Sequence, residues 1–179
     1  IHKPYKIFFK DRFGAFQRKF DNLHIQRDEM LMVYPGLVIH FFQVFDKLFR
    51  IFKSKMPYSI DGFEQLITAE MTYPQPHVVI GEGFINLFTK YTKGRELYWN
   101  TSLDGKQWSP DQKLAGMGGH YQVSQMRGDR LVTVFNYHPG GNVDKRTNLY
   151  LVQTDDMGKT WKTIDGSILS LPLTDPHCE

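Results

Sequence analysis

Two short stretches concentrate the side chains able to move a proton or hold an anion. In "GGHYQV" His120 and Tyr121 follow a glycine pair, and "NYHPGGNVDKR" carries His138, Lys145 and Arg146. Histidine and tyrosine are proton acceptors and donors, and the planar arginine fork grips a carboxylate with two parallel hydrogen bonds. These types suit removal of a proton beside a carboxylate, with a cation stabilising the charge that develops. Arg146 is the candidate clamp, Tyr121 or His120 the group that removes or returns the proton, and His138 its assistant. Hydrolysis of a glycosidic bond would instead need two carboxyl groups at a defined separation. Asp111 and Asp144 are the nearby acids, and they form no convincing pair. A metal-assisted route finds no support, because no three ligands stand at metal spacing and the single cysteine, Cys178, excludes a thiolate zinc site. No metal and no cofactor are expected.

A further acidic stretch, "TDDMGKTW" from Thr154 to Trp161, raises the question of a second site. The pattern recurs as "TSLDGKQW" from Thr101 to Trp108, with one residue fewer between Asp104 and Trp108. A reused pattern is a structural device. Gly158 can take a positive φ, Asp156 can accept hydrogen bonds from its own turn, and Trp161 can pack back as an apolar plug.

The elements that must position the candidates follow from the same repetition. "LFRIFKS", "ELYWNTS" and "NLYLVQT" align without gaps, each ending on a hydroxyl residue. Upstream of them lie "LVIHFF", "FINLFT" and "LVTVFN", and upstream again "MLMVY", "HVVIG" and "YQVSQM". Each unit reads as strand, tight turn, strand, loop, strand, tight turn and a weaker fourth strand such as "WKTIDG". Four strands recurring at roughly 45 to 50 residues mark a β-propeller blade. The sequence therefore predicts an all-β fold, a β-propeller of four-stranded antiparallel blades. Blades are expected over about 21–70, 71–117 and 118–170, with 1–20 part of a preceding blade, all in one incomplete propeller domain over 1–179.

Alternating strand directions put the loop between second and third strands, and the connectors between blades, on one face. The Asp turns fall on the other. That first face collects His24, Tyr73, His120 and Tyr121 near the channel, with Lys93, Arg95, His138, Asp144, Lys145 and Arg146 above them. A long glycine-containing loop over a rigid scaffold is where binding residues usually sit.

The pattern S/T-x-D-x-G-x-T-W, matched by Thr154, Asp156, Gly158, Thr160 and Trp161, resembles the Asp box of the bacterial neuraminidase repeat families. The run from "SKMPYSIDGF" through "TYPQPHVV", "ELYWNTSLDGKQW", "GGHYQV" and "KRTNLYLVQTDDMGKTW" to "DGSILSLPL" is similar to the group of those families that holds ulvan-lyase-like polysaccharide lyases and enzymes acting on rhamnose-glucuronate linkages. The resemblance implies an enzyme acting on an acidic, uronate-containing poly- or oligosaccharide by β-elimination, secreted or periplasmic. Catalysis would fall to Tyr121, His120, His138 and Arg146, with Arg95, Tyr73, His24 and Lys145 binding substrate. The family tends to carry "DDH" where this chain has "DNLH" around His24. Two alternatives stay open: an exo-glycosidase of sialidase type, for which Arg95 and Arg146 would be two of three arginines but the "FRIP" signature is missing, and a non-catalytic carbohydrate- or protein-binding propeller.

Composition agrees with a folded chain: 179 residues, 41% hydrophobic and 15% aromatic, with one cysteine. A net charge of +3, with 22 basic residues spread along the chain, gives no nucleic-acid footprint. No apolar run reaches the roughly 18 residues of a membrane helix. No nucleic-acid or membrane partner is expected. The absence of an initiator methionine is expected of a trimmed or partial chain.

Overall fold

The computed structural model describes residues 29–34, 37–44, 48–56 and 61–177, with side chains from Arg50 onward. His24 and the 1–20 segment lie outside the described residues. The chain falls into two units, Ile1–Thr72 and Tyr73–Glu179.

In the first unit, β1 (Glu29–Tyr34), β2 (Leu37–Val44), β3 (Leu48–Ser54) and β4 (Phe63–Glu70) form one antiparallel sheet in that order. The β-branched and aromatic residues of β2 and β3 favour strand, and among the described side chains of β3 Ile51 is fully buried.

The second unit holds two sheets. In the first, β5 (Thr72–Val79), β6 (Gly83–Tyr91), β7 (Arg95–Ser102) and β8 (Gln112–Ala115) run in sequence order, so each strand lies beside the one before it. β6 and β7 are buried on both faces along most of their length, which explains why "FINLF" and "ELYWN" read as unbroken runs rather than as an alternation. The second sheet has the order β11 (Thr147–Thr154), β10 (Arg130–Tyr137), β9 (Gln122–Arg127). Ile85, Leu87, Leu97 and Trp99 of the first sheet meet Leu131, Phe135, Val152 and Trp161 in one core. The expected all-β architecture of antiparallel sheets is observed, consistent with part of a propeller.

The third sheet departs from the four-stranded expectation. Its fourth strand shrinks to Lys162, which bridges Gln153 on one side and Ile168 on the other. The cause is local. Thr163 accepts from the backbone of Gly166 and Ser167, and Asp165 bonds Thr163 and Ser167, so the chain turns before a ladder can extend. It then returns to the first sheet of this unit, where Leu173 donates to the Leu114 carbonyl and accepts from Gly116.

Both Asp turns have the expected construction. Thr160 donates its N–H and hydroxyl to Asp156 at 2.9 and 2.6 Å, and Gly158 donates its N–H to the Thr154 hydroxyl at 3.0 Å. Gly158 has a φ of 82°. A Cβ there would lie 2.3 Å from the Trp99 indole nitrogen, so both backbone conformation and packing require glycine. In the shorter turn Asp104 accepts from Lys106 and Gln107 at 2.8 and 3.1 Å. Trp161 is buried edge-on to Trp99, with ring centres 5.5 Å apart. Trp108, one residue closer to its aspartate, is only half-buried and donates its indole N–H to the Gly105 carbonyl.

β7 begins at Arg95 and ends at Ser102, and β11 follows Arg146 and ends at Thr154. An eight-residue strand rises about 23 Å from end to end. The two arginines are therefore remote from the Asp turns.

Candidate active site

The connector from Gly116 to Tyr121 runs along the end of β10. His138 donates its N–H to Gly119, Asn136 donates to the Tyr121 carbonyl, and the Asn136 side chain accepts from the Tyr121 N–H at 3.0 Å. A Cβ on Gly119 would lie 3.1 Å from the Cβ of His138 and 3.2 Å from its Nδ1, so a side chain there would push the imidazole aside. Gly119 is thus what lets Tyr121 and His138 share one place.

Tyr121 is the centre of the cluster and is 38% exposed. The Arg95 guanidinium lies 4.5 Å from its ring centre and that of Arg146 5.8 Å away. His138 meets the ring at 4.9 Å and Tyr73 at 6.4 Å, both edge-on. Tyr73 holds a left-handed backbone, φ 50°, which is uncommon for an aromatic residue and accompanies functional or constrained positions.

Arg95 lies between two tyrosines. It donates from Nε to the Tyr91 hydroxyl at 3.2 Å, and its guanidinium stands 5.5 Å from the Tyr91 ring. Burial works against its charge, but the Tyr91 and Tyr121 hydroxyls more than offset this and raise its pKa, so it remains a cation. One of its terminal nitrogens is buried and has no partner among the described residues. Arg146 follows the 3₁₀ turn Val143–Lys145, which starts where Asn142 accepts from the Asp144 N–H at 2.9 Å. It is exposed, and no ion pair to Asp144 or any other acid is seen among the described residues.

The two histidines differ in what is left of them. His138 is fully buried, and neither ring nitrogen has a partner among the described residues. Burial, then the charges of Arg95 and Arg146, push its pKa down, so the imidazole is neutral near pH 7. His120 is buried edge-on to Phe135. Its Nε2 accepts from the Met117 N–H at 3.1 Å, which leaves Nδ1–H to donate to the Asn136 carbonyl at 2.8 Å. Both nitrogens are engaged in holding the connector to β10.

Of the residues singled out in the sequence, the structure brings together Tyr73, Arg95, Tyr121, His138 and Arg146. His120 packs with its nitrogens occupied, and Lys145 is exposed on its turn outside the ring contacts. Asp111 is tied to Lys90 at 2.9 Å and to Asn100 at 3.0 Å. The acids near the cluster were not limited to Asp111 and Asp144. Glu96, next to Arg95, is buried and paired with Lys113 at 2.8 Å. His77 was also missed: its Nε2 lies 2.8 Å from the Ser124 hydroxyl, while Gln75 accepts from the Ser124 N–H and hydroxyl at 2.6 and 2.7 Å. These bonds join β5 to β9, whose spacing in the chain gives no local signal. A cavity of about 660 Å³ opens between the two Asp turns, but its lining holds no arginine, histidine or tyrosine.

No protein-family model and no curated protein sequence matches the chain. Among solved structures it is similar to an ulvan lyase of a polysaccharide lyase family designated PL25, both bound to -[GlcA(1-4)Rha3S]- and without it. In each case the TM-score is 0.68 at 17% identity, over 82% of this chain and 42% of the lyase. The likeness is one of fold, and the chain spans less than half the length of the lyase.

Proposed function

We propose that the Tyr121 cluster is the active site of an enzyme that cleaves uronate-containing polysaccharide by β-elimination. The observation that carries this reading is one exposed tyrosine set between two guanidinium groups, at 4.5 and 5.8 Å. The exposed guanidinium of Arg146, backed by the positive charge of Arg95 behind the Tyr121 ring, holds the uronate carboxylate and stabilises the negative charge that builds as the neighbouring C–H bond breaks. Tyr121, which faces solvent, reacts as the phenolate and takes that proton. The electron pair of the C–H bond becomes the new C=C bond, the C–O bond to the next sugar breaks, and the departing oxygen receives a proton from Tyr121. His138 stands behind the ring as a neutral imidazole and assists the transfer, and His120 holds the connector that carries Tyr121. The fold shared with a lyase that binds a glucuronate-rhamnose chain supports an acidic carbohydrate as substrate.

Glycoside hydrolysis is less well supported, because Glu96 and Asp111 are ion-paired to lysines rather than set as an acid and base pair. Incubation of the full-length protein with a panel of uronate polysaccharides tests the proposal. Ultraviolet absorbance from unsaturated products is expected. New reducing ends without that absorbance would assign hydrolysis instead, and binding without either product would assign a binding module.

A further inference from the structure

We infer that Glu96 is a positioning residue for this site: paired with Lys113, it holds the turn that sets Arg95 against Tyr121. The inference rests on the reading of Tyr121 and Arg95 as the substrate-binding pair. Adjacent residues of a strand point to opposite faces, so Glu96 turns away from the face on which Arg95 meets Tyr121. Its side chain is 4% exposed, against 31% for Lys113. It does not touch substrate.

One carboxylate oxygen gathers the contacts. Glu96 Oε2 accepts from Lys113 Nζ at 2.8 Å, from the Tyr98 hydroxyl at 3.2 Å and from the Thr92 hydroxyl. Thr92 opens the turn between β6 and β7 that delivers Arg95, and its hydroxyl also lies 3.1 Å from that of Tyr98. The same turn is seated on the connector that carries Tyr121. Gly94 has a φ of 103°, and a Cβ there would fall 2.4 Å from the Gly118 carbonyl oxygen, while Arg95 and Gly119 form a parallel bridge. At the start of the connector, a Cβ on Gly116 would lie 2.7 Å from Glu96 Oε1. Glu96 therefore braces the turn before Arg95 through Thr92, and it lies so close to the start of the connector that only glycine fits at position 116. Burial alone would make a carboxylate costly here, and the lysine together with the hydroxyl donors compensates it.

Glu96→Gln keeps the size and an acceptor oxygen but leaves Lys113 facing a neutral amide. Two readouts separate positioning from mere stability. The first needs no substrate: the side-chain protons of Arg95, beside the Tyr121 ring, are expected to carry an upfield ring-current shift in the NMR spectrum. In Glu96→Gln that shift is expected to collapse toward the value seen in Tyr121→Ala, while the amide spectrum stays that of a folded protein. The second is kinetic. The kcat/KM for a uronate polysaccharide is expected to fall about tenfold, shared between a higher KM and a lower kcat, because Arg95 acts both on the bound carboxylate and on the charge that develops in the transition state. If Glu96→Gln does not fold, Lys113→Gln tests the same pair from its exposed side and is expected to move the Arg95 resonances in the same direction. An Arg95 shift that stays at the wild-type value in the folded variant overturns the inference, whatever the kinetics. If the wild-type protein cleaves no uronate polysaccharide but the shift collapses, Glu96 still positions Arg95 and it is the proposed reaction that fails.

Discussion

The Arg95 guanidinium carbon lies 4.5 Å from the centre of the Tyr121 ring, the shortest of the cation–aromatic contacts around that residue. A phenylalanine would keep this contact and lose only the hydroxyl. Tyr121→Phe is therefore expected to lower turnover on uronate substrate by about 10²-fold or more, with a melting temperature close to wild type. Initial rates by ultraviolet absorbance, beside a thermal melt, check it. Near-wild-type turnover would remove Tyr121 from proton transfer.

This cluster was legible in the sequence because strand alternation alone puts Arg95, Tyr121, His138 and Arg146 at one end of their strands. The Asp turns were legible because they repeat. What could not be read was anything set by contacts between distant segments. Whether His120 was a free base or a satisfied one depended on the Met117 N–H and the Asn136 carbonyl closing on its two nitrogens. Glu96 looked like an ordinary strand residue until Lys113, seventeen positions on, was set beside it. The His77 contact with Ser124 spans 47 positions. The fourth strand of the last sheet failed for a local reason, the Thr163–Ser167 turn, which competes with the ladder through its own hydroxyl and carboxylate bonds.

The Asp turns are scaffolding, and their substitution should act on stability. Trp161, 1% exposed and packed on Trp99, fills the core between the two sheets of its unit. Trp161→Ala is expected to destabilise by about 3 to 5 kcal/mol, and Asp156→Ala by about 1 to 3 kcal/mol through the donors it leaves unpaired. Chemical denaturation measures both. Activity per folded molecule should be unchanged, and a loss of turnover with an unaltered unfolding transition would contradict the remoteness of these turns from the site.

His77 gives a pH dependence with a definite sign. Burial lowers its pKa from 6.5 to about 4, so between those values the unfolded chain carries a proton there that the folded chain does not. Stability should accordingly fall as pH drops through about 6.5 toward about 4, and the His77 contribution should level off below. His120 and His138, also lowered chiefly by burial, act in the same direction. The groups against His77 are the Ser124 hydroxyl and, through it, the Gln75 amide. His77→Gln should flatten the fall by about 1.4 kcal/mol per pH unit within the window. Urea unfolding across that range, in wild type and variant, decides it: parallel curves would mean that His77 is protonated in the folded state.

Arg146 separates charge from geometry. It is exposed and forms no ion pair among the described residues, so Arg146→Lys should change stability by no more than about 0.5 kcal/mol. A lysine keeps the charge near Tyr121 but presents a point rather than a planar fork, and it cannot hold a carboxylate by two parallel bonds. Turnover on uronate substrates is expected to fall on the order of tenfold or more, because a carboxylate free to rotate no longer presents its neighbouring C–H bond to Tyr121. Added salt should lower turnover of both forms, since screening weakens the hold of an exposed charge on the carboxylate. Steady-state kinetics at low and high ionic strength measure both effects. Equal turnover for arginine and lysine at both would leave Arg146 as a source of general attraction for an acidic chain and pass the carboxylate clamp to Arg95 alone.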